Sequence, residues 1–211
     1  NSLIINKVKN GKLFINLELY FNENLNLDNF IVRGEVREMD SIINDDFSLK
    51  DVSFNFFADS SDILIKNVTS KTDGLLIKNG NLQIKKNQEI RIKSDFVTEI
   101  KIDKKNIISY LPFLENIEFI NKESNFNASV NNLLDVTFDK TFKVINYVYT
   151  GKGKINKLFF KFDKSIKNSF LKEEINNLSF KNSDFSVRYS SDKKNNISSS
   201  GSYSVDDQNY Q

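Results

Sequence analysis

Gln88–Ile102 reads QEIRIKSDFVTEIKI. Ile90, Ile92, Phe96, Ile100 and Ile102 share one parity, with Ser94 and Thr98 in the gaps. Glu89, Arg91, Lys93, Asp95, Glu99 and Lys101 share the other, and Val97 alone breaks the rule. A period of two belongs to a strand with one apolar face and one wetted face. A stretch of this length spans roughly 50 Å at about 3.3 Å per residue. That is long beside the usual strand of about five or six residues.

Shorter copies of the pattern lie on both sides. Toward the N-terminus they are Leu3–Val8, Lys12–Phe21, Phe30–Glu38, Leu49–Phe57, Ile63–Val68, Gly74–Ile77 and Leu82–Lys85. Asn10–Gly11 is a tight-turn pair and predicts a hairpin between the first two. Asn79–Gly80–Asn81 predicts another turn. Toward the C-terminus the copies are Ile117–Ile120, Asn125–Val130, Leu133–Phe138, Phe142–Tyr149, Lys154–Phe162, Leu178–Phe180, Phe185–Tyr189 and Ser198–Val205. Thr150–Gly153 predicts a bulge or tight bend, and Asp163–Glu174 a polar loop or weak helix. One segment changes period. In Asp103–Leu114, DKKNIISYLPFL, Ile107, Ile108, Leu111 and Leu114 recur at helical spacing. Asp103 is placed to cap the free amides, and Pro112 to end or kink the helix. A short amphipathic helix that covers an open end or flank of the sheet is expected there.

Composition agrees with a β-rich chain. Among 211 residues are nineteen Phe, seven Tyr, seven Gly, one Pro, one Met and no Trp. Phe with abundant Ile and Val favours strands. A loose repeat is also present. FIVRGEVRE at Phe30–Glu38 precedes LKDVSFNF at Leu49–Phe56, and YVYTGKGKINK at Tyr147–Lys157 precedes INNLSF at Ile175–Phe180. Successive addition of similar hairpins builds an elongated architecture.

Several function classes lose support. The net charge is only +2, with acids and bases finely mixed, whereas a nucleic-acid binder needs a marked basic excess. The chain has no His, so an imidazole base and a Ser-His-Asp arrangement are both excluded within it. With no Cys, it has neither disulfides nor thiolate metal sites. Gly151-Lys152-Gly153-Lys154 lacks the P-loop spacing, and reads as a turn. Asp45–Asp46, Glu173–Glu174 and Asp206–Asp207 lack the spacing of a calcium loop and read as solvated loop charge. The aromatics among lysines at Phe159–Lys164 and Phe180–Tyr189 read as strand core rather than as a stacking platform. No cofactor is expected, and neither is an enzyme.

An amphipathic sheet must cover its apolar face with a second sheet or by closure into a barrel, unless it curves into an open trough. A trough suits acyl chains, which need no polar partners and gain about 0.8 kcal/mol per buried CH₂. The alternating strands with SLKDVSFNFFADSSDILIKNV (Ser48–Val68) and DGLLIKNGNLQIK (Asp73–Lys85), then the long strand leading into DKKNIISYLPFL, resemble the AsmA-like superfamily of Gram-negative envelope proteins. The likeness is nearest to its YhdP/TamB-type members and strongest over Phe30–Leu114. It implies similarity to repeating β-groove lipid-transfer proteins and passive movement of phospholipid between membranes. It also implies a periplasmic location, with the parent protein anchored in the inner membrane and reaching both membranes through regions outside this segment.

The fold class expected is therefore mainly β: an elongated, strongly curved antiparallel sheet, a β-groove or half-open barrel, with one short amphipathic helix. Residues 1–211 are expected to form one continuous β-rich segment of a larger protein. Its parts would be strands over 1–102, the helix over 103–114, and strands with polar loops over 115–211. The expected partners are phospholipid acyl chains, and not nucleic acid. The residues expected to line the groove are Val32, Val36, Val52, Phe54, Phe56, Ile90, Ile92, Phe96, Ile100 and Ile102. A structural or adhesion-type sandwich or solenoid demands the same parity, and so stays open as the alternative.

Overall fold

The structure is a computed structural model that describes residues 8–42, 48–72, 74–103, 123–167, 173–206 and 208–210. The alternating residues form eleven strands: β1 (Val8–Phe21), β2 (Leu27–Ile42), β3 (Ser48–Ala58), β4 (Asp62–Thr72), β5 (Leu75–Lys86), β6 (Ile90–Asp103), β7 (Asn125–Phe138), β8 (Val144–Ile166), β9 (Ile175–Ser190), β10 (Asn196–Val205) and β11 (Gln208–Tyr210). They make a single antiparallel sheet in strictly sequential order. The sheet is not closed into a barrel, so β1 and β11 stand at its two edges. Among the described residues there is no second sheet and no helix.

At one end of the sheet an Asp or Asn side chain folds back onto the amides of its own turn, the local bond that makes these residues turn formers. Asn22 Oδ1 accepts from the amides of Asn24 and Asn26, at 3.0 Å each. Asp59 Oδ1 accepts from Ser61 and Asp62, at 2.8 Å each. Asp139 Oδ1 accepts from Thr141 at 2.8 Å and Lys143 at 3.0 Å. These bonds favour the charged form and hold both carboxyls below their ordinary range. The largest cause is the Asp62 amide for Asp59 and the Thr141 side chain for Asp139.

Left-handed residues sit inside the strands as well. Asn10, Glu38, Asp51, Asn67 and Asn79 have φ between 52° and 57°, one in each of β1 to β5, and Asn182 in β9 has φ 50°. From Glu38 onward each coincides with a shift of register. On β1 the register is kept, because Gly11 falls opposite Glu38 between the pairs Asn10–Met39 and Lys12–Arg37. An extra residue in one strand bends it and restarts the alternation on the other parity. In β4 the apolar set moves from Ile63 and Ile65 to Val68 across Asn67. In β5 it moves from Leu75 and Ile77 to Leu82 and Ile84 across Asn79. Side chains take up the displaced amides: Glu38 N–H donates to Ser53 Oγ at 3.1 Å, and Asp51 N–H to Asp40 Oδ1 at 3.3 Å. The β6–β7 pair keeps one register from end to end.

These bulges correct several expectations. Asn10–Gly11 does not reverse the chain: Val8 and Lys12–Phe21 belong to one strand, paired throughout with β2. Asn79–Asn81 lies within β5, and Thr150–Gly153 within the 23-residue β8, which runs on through Asp163 to Ile166. Leu178–Phe180 and Phe185–Tyr189 are both parts of β9, and Asn125–Val130 and Leu133–Phe138 both parts of β7. Asn and Gly supply φ > 0 equally well to a turn or to a bulge. Asp103 ends β6, paired with Asn125. The rest of the expected helix, the strand at Ile117–Ile120 and the start of Leu3–Val8 lie outside the described residues.

Candidate functional site

Directly paired residues in an antiparallel sheet point to the same side. The pairing therefore sorts side chains into faces. One row runs Leu17, Val32, Ala58, Ile63, Ile84, Ile92, Val136 and Tyr147, from β1 to β8. A parallel row passes through Ile77, Thr98, Val130, Gly153 and Phe185. A third passes through Ile102, Phe126, Leu158, Phe180 and Tyr203. Together they form one broad apolar face.

All ten expected lining residues fall on it. Val32, Val36, Val52, Phe54 and Phe56 form a group on β2 and β3, where Phe54 and Phe56 meet edge to face at 6.2 Å between ring centres. Ile90, Ile92, Phe96, Ile100 and Ile102 form a second group on β6. Sequence reasoning left out the residues that join them, Ile63, Ile65 and Val68 on β4 and Leu75, Ile77, Leu82 and Ile84 on β5. Their alternation is legible once the phase is restarted at Asn67 and at Asn79. The apolar residues of β7, Ala128, Val130, Leu134 and Val136, extend the same face.

The face has little cover. The only buried apolar side chains among the described residues are Val52, Ile102, Ala128 and Val130. Eight of the ten expected lining residues are half-buried, Val52 and Ile102 being the exceptions. Toward the β1 edge Leu13, Ile15 and Leu17 are each more than half exposed. Among the described elements each strand packs chiefly against its sequential neighbours.

One polar island interrupts this surface and satisfies itself. The Tyr149 hydroxyl donates to Asn132 Oδ1 at 2.8 Å, and Asn132 Nδ2 donates to Thr98 Oγ1 at 3.0 Å and to the Val130 carbonyl at 3.1 Å. Gly151 makes this possible, since a Cβ there would stand 2.8 Å from the Tyr149 hydroxyl. Burial raises the Tyr149 pKa above its ordinary value, which keeps the phenol protonated as a donor. With its buried amide paired, the island carries no unmet polar demand.

The opposite face carries most of the charge, with Phe14, Phe57, Leu64, Leu76 and Leu133 set among it. Arg91 grips Asp135 through Nε–Oδ1 at 2.9 Å and Nη2–Oδ2 at 2.6 Å, and Lys78 meets Glu99 at 2.7 Å. The Arg91 hydrogen bonds hold the Asp135 carboxyl below its ordinary pKa. A shallow polar hollow lies on this side along the bulges, lined by Glu38, Asp51, Ser53, Thr69 and Lys71 among others. No group of three or more acidic, His or Cys residues among the described residues could hold a metal ion. No helix among them is long and apolar enough to cross a membrane. No family model, curated protein or solved structure matches this chain.

Proposed function

We propose that the apolar face is a groove for phospholipid acyl chains. The chain would then be a segment of an AsmA-like envelope protein that passes lipid between membranes without chemistry of its own. The observation that carries this reading is a wide, half-exposed apolar face on a sheet that neither closes nor meets a second sheet among the described residues. Exposed apolar patches on monomeric proteins rarely exceed a few hundred Å² without a partner. The bulges across β1–β5 supply the bending that turns such a sheet into a curved, half-open groove. Acyl chains gain about 0.8 kcal/mol per CH₂ removed from water and ask for no hydrogen bonds. That matches a face whose polar island is already satisfied.

In this reading the segment is periplasmic, the parent protein is anchored in the inner membrane, and direction comes from a gradient or another machine. Native mass spectrometry with lipid extraction tests it. Phospholipid is expected to co-purify, and Ile92→Asp in the middle of the face is expected to remove it while the fold survives by circular dichroism. Protein that stays lipid-free, and takes up no phospholipid when it is offered, returns the alternative of a structural or adhesion-type β protein.

A further inference from the structure

The turns at one end of the sheet differ in a way that acyl-chain binding does not require. The β5–β6, β7–β8 and β9–β10 turns lie side by side, two strand spacings apart, about 10 Å each. They carry Lys85, Lys86, Lys140, Lys143, Lys193 and Lys194, all exposed and none in an ion pair among the described residues. The acids among them are fewer, namely Glu89, Asp139 and Asp192. Asp139 is engaged by its own turn, and Asp192 by its turn and Arg188. At the centre stands Phe142, 72 % exposed with φ 62°. A bulky residue in the left-handed region is an outlier, and here it presents an aromatic ring to solvent. Val144, Ile145 and Tyr147 continue the exposed apolar surface into β8, with Tyr189 and Ile197 beside them on β9 and β10.

We propose that this strip of three turns docks on the surface of an anionic bilayer. Phe142 and the first residues of β8 would enter the headgroup region, the tyrosines would sit at its level, and the lysines would meet lipid phosphates. Apolar tips among basic residues bind membranes by buried area together with attraction to anionic lipid. Tyr suits the boundary because one end of its ring is apolar and the other wet. The β1–β2 turn is the internal control. Leu25 there is also left-handed, with φ 60°, and is 82 % exposed, but its neighbours are Glu23 and Asp28. Apolar exposure alone would make that turn the better anchor, whereas charge complementarity rejects it.

The test is co-sedimentation of the 211-residue chain with phosphatidylcholine vesicles and with vesicles containing three parts phosphatidylglycerol to seven of phosphatidylcholine. Binding is expected only to the anionic vesicles and to fall with added salt. Phe142→Asp and the pair Lys193→Ala/Lys194→Ala are each expected to weaken it about tenfold or more, whereas Leu25→Asp leaves it unchanged. Lipid retained by Phe142→Asp in native mass spectrometry separates this surface from the acyl-chain groove, so either idea can fail without the other. Equal binding to both vesicles, no binding at all, or equal losses from Leu25→Asp and Phe142→Asp overturn the docking strip.

Discussion

The β6–β7 pair and the β1–β5 region have the same kind of sequence and solve the same problem differently. Between β6 and β7 every residue from Ile90 to Asp103 has one partner in an unbroken register. From β1 to β5 each strand carries a left-handed residue, and the apolar parity changes across it. A long strand is stiff and twists steadily; a bulge adds local bend and twist where it sits. The bulges of neighbouring strands fall side by side, and Asp40 ties two of them together by accepting from the Asn10 side chain and the Asp51 amide. The irregularities are therefore linked across the strands of this half of the sheet.

The strongest way to break this contrast is to delete Asn67. Either Ile63 and Ile65 or Val68 must then turn to the wet face, because a one-residue slip reverses every side chain beyond it. A loss on the order of 3 kcal/mol or more is expected in urea unfolding. Deletion tolerated without loss would show that β4 needs no bulge.

Next in size is Gly153→Ala, where β8 meets the regular β7. A Cβ there would stand 2.0 Å from the Ser129 carbonyl oxygen and 2.9 Å from Val130 Cα. Both neighbours are backbone, so relief requires the strands to part. A cost of about 2–3 kcal/mol is expected from thermal or urea melting.

Smaller and more discriminating is a pair of changes at Asn79. A β-branched residue there is expected to cost about 1–2 kcal/mol for its left-handed backbone, so Asn79→Val destabilises while Asn79→Gly is neutral or better. On β6, Asp95→Gly is expected to cost about 1–2 kcal/mol, from the ordinary penalty of Gly in a strand together with the lost hydrogen bond from Asn81. Opposite signs for Gly at the two positions are the sharpest signature of the difference between the regions.

The least effect is electrostatic. Because Asp135 has a lowered pKa in the fold, its contribution is present above the unfolded value of about 3.9 and fades as pH falls through the folded one. Arg91 and Asp135 are partly exposed, so the contribution is under about 1 kcal/mol. Asp135→Asn should lower the melting temperature slightly at neutral pH, by a gap that narrows as the pH falls through the folded pKa. An unchanged gap at acid pH would assign the effect to something other than the ion pair.

β6 was legible because nothing interrupts it, and Ile90, Ile92, Phe96, Ile100 and Ile102 were read on the side where they stand. The β2 and β3 candidates were legible because Val32 and Val36 precede the bulge at Glu38, and Val52, Phe54 and Phe56 follow the one at Asp51. β4 and β5 were cut short or split because Asn67 and Asn79 reset the phase in mid-strand. Asn-Gly at position 10 misled for a related reason, since a turn and a bulge ask the same thing of φ. The polar island was not visible either. Thr98, Asn132 and Tyr149 are far apart in the chain, and only register brings them together.

The order of residues alone determined a β-rich chain with one oily and one wet side to each strand, because alternation is a local property of an extended backbone. Tertiary structure decided how many strands there are and which residues share a face, because pairing partners are remote in sequence and a single left-handed residue changes the side that follows. It also decided that the oily side stays largely uncovered among the described residues. Covering a face depends on what packs across it, which no alternation along one strand records.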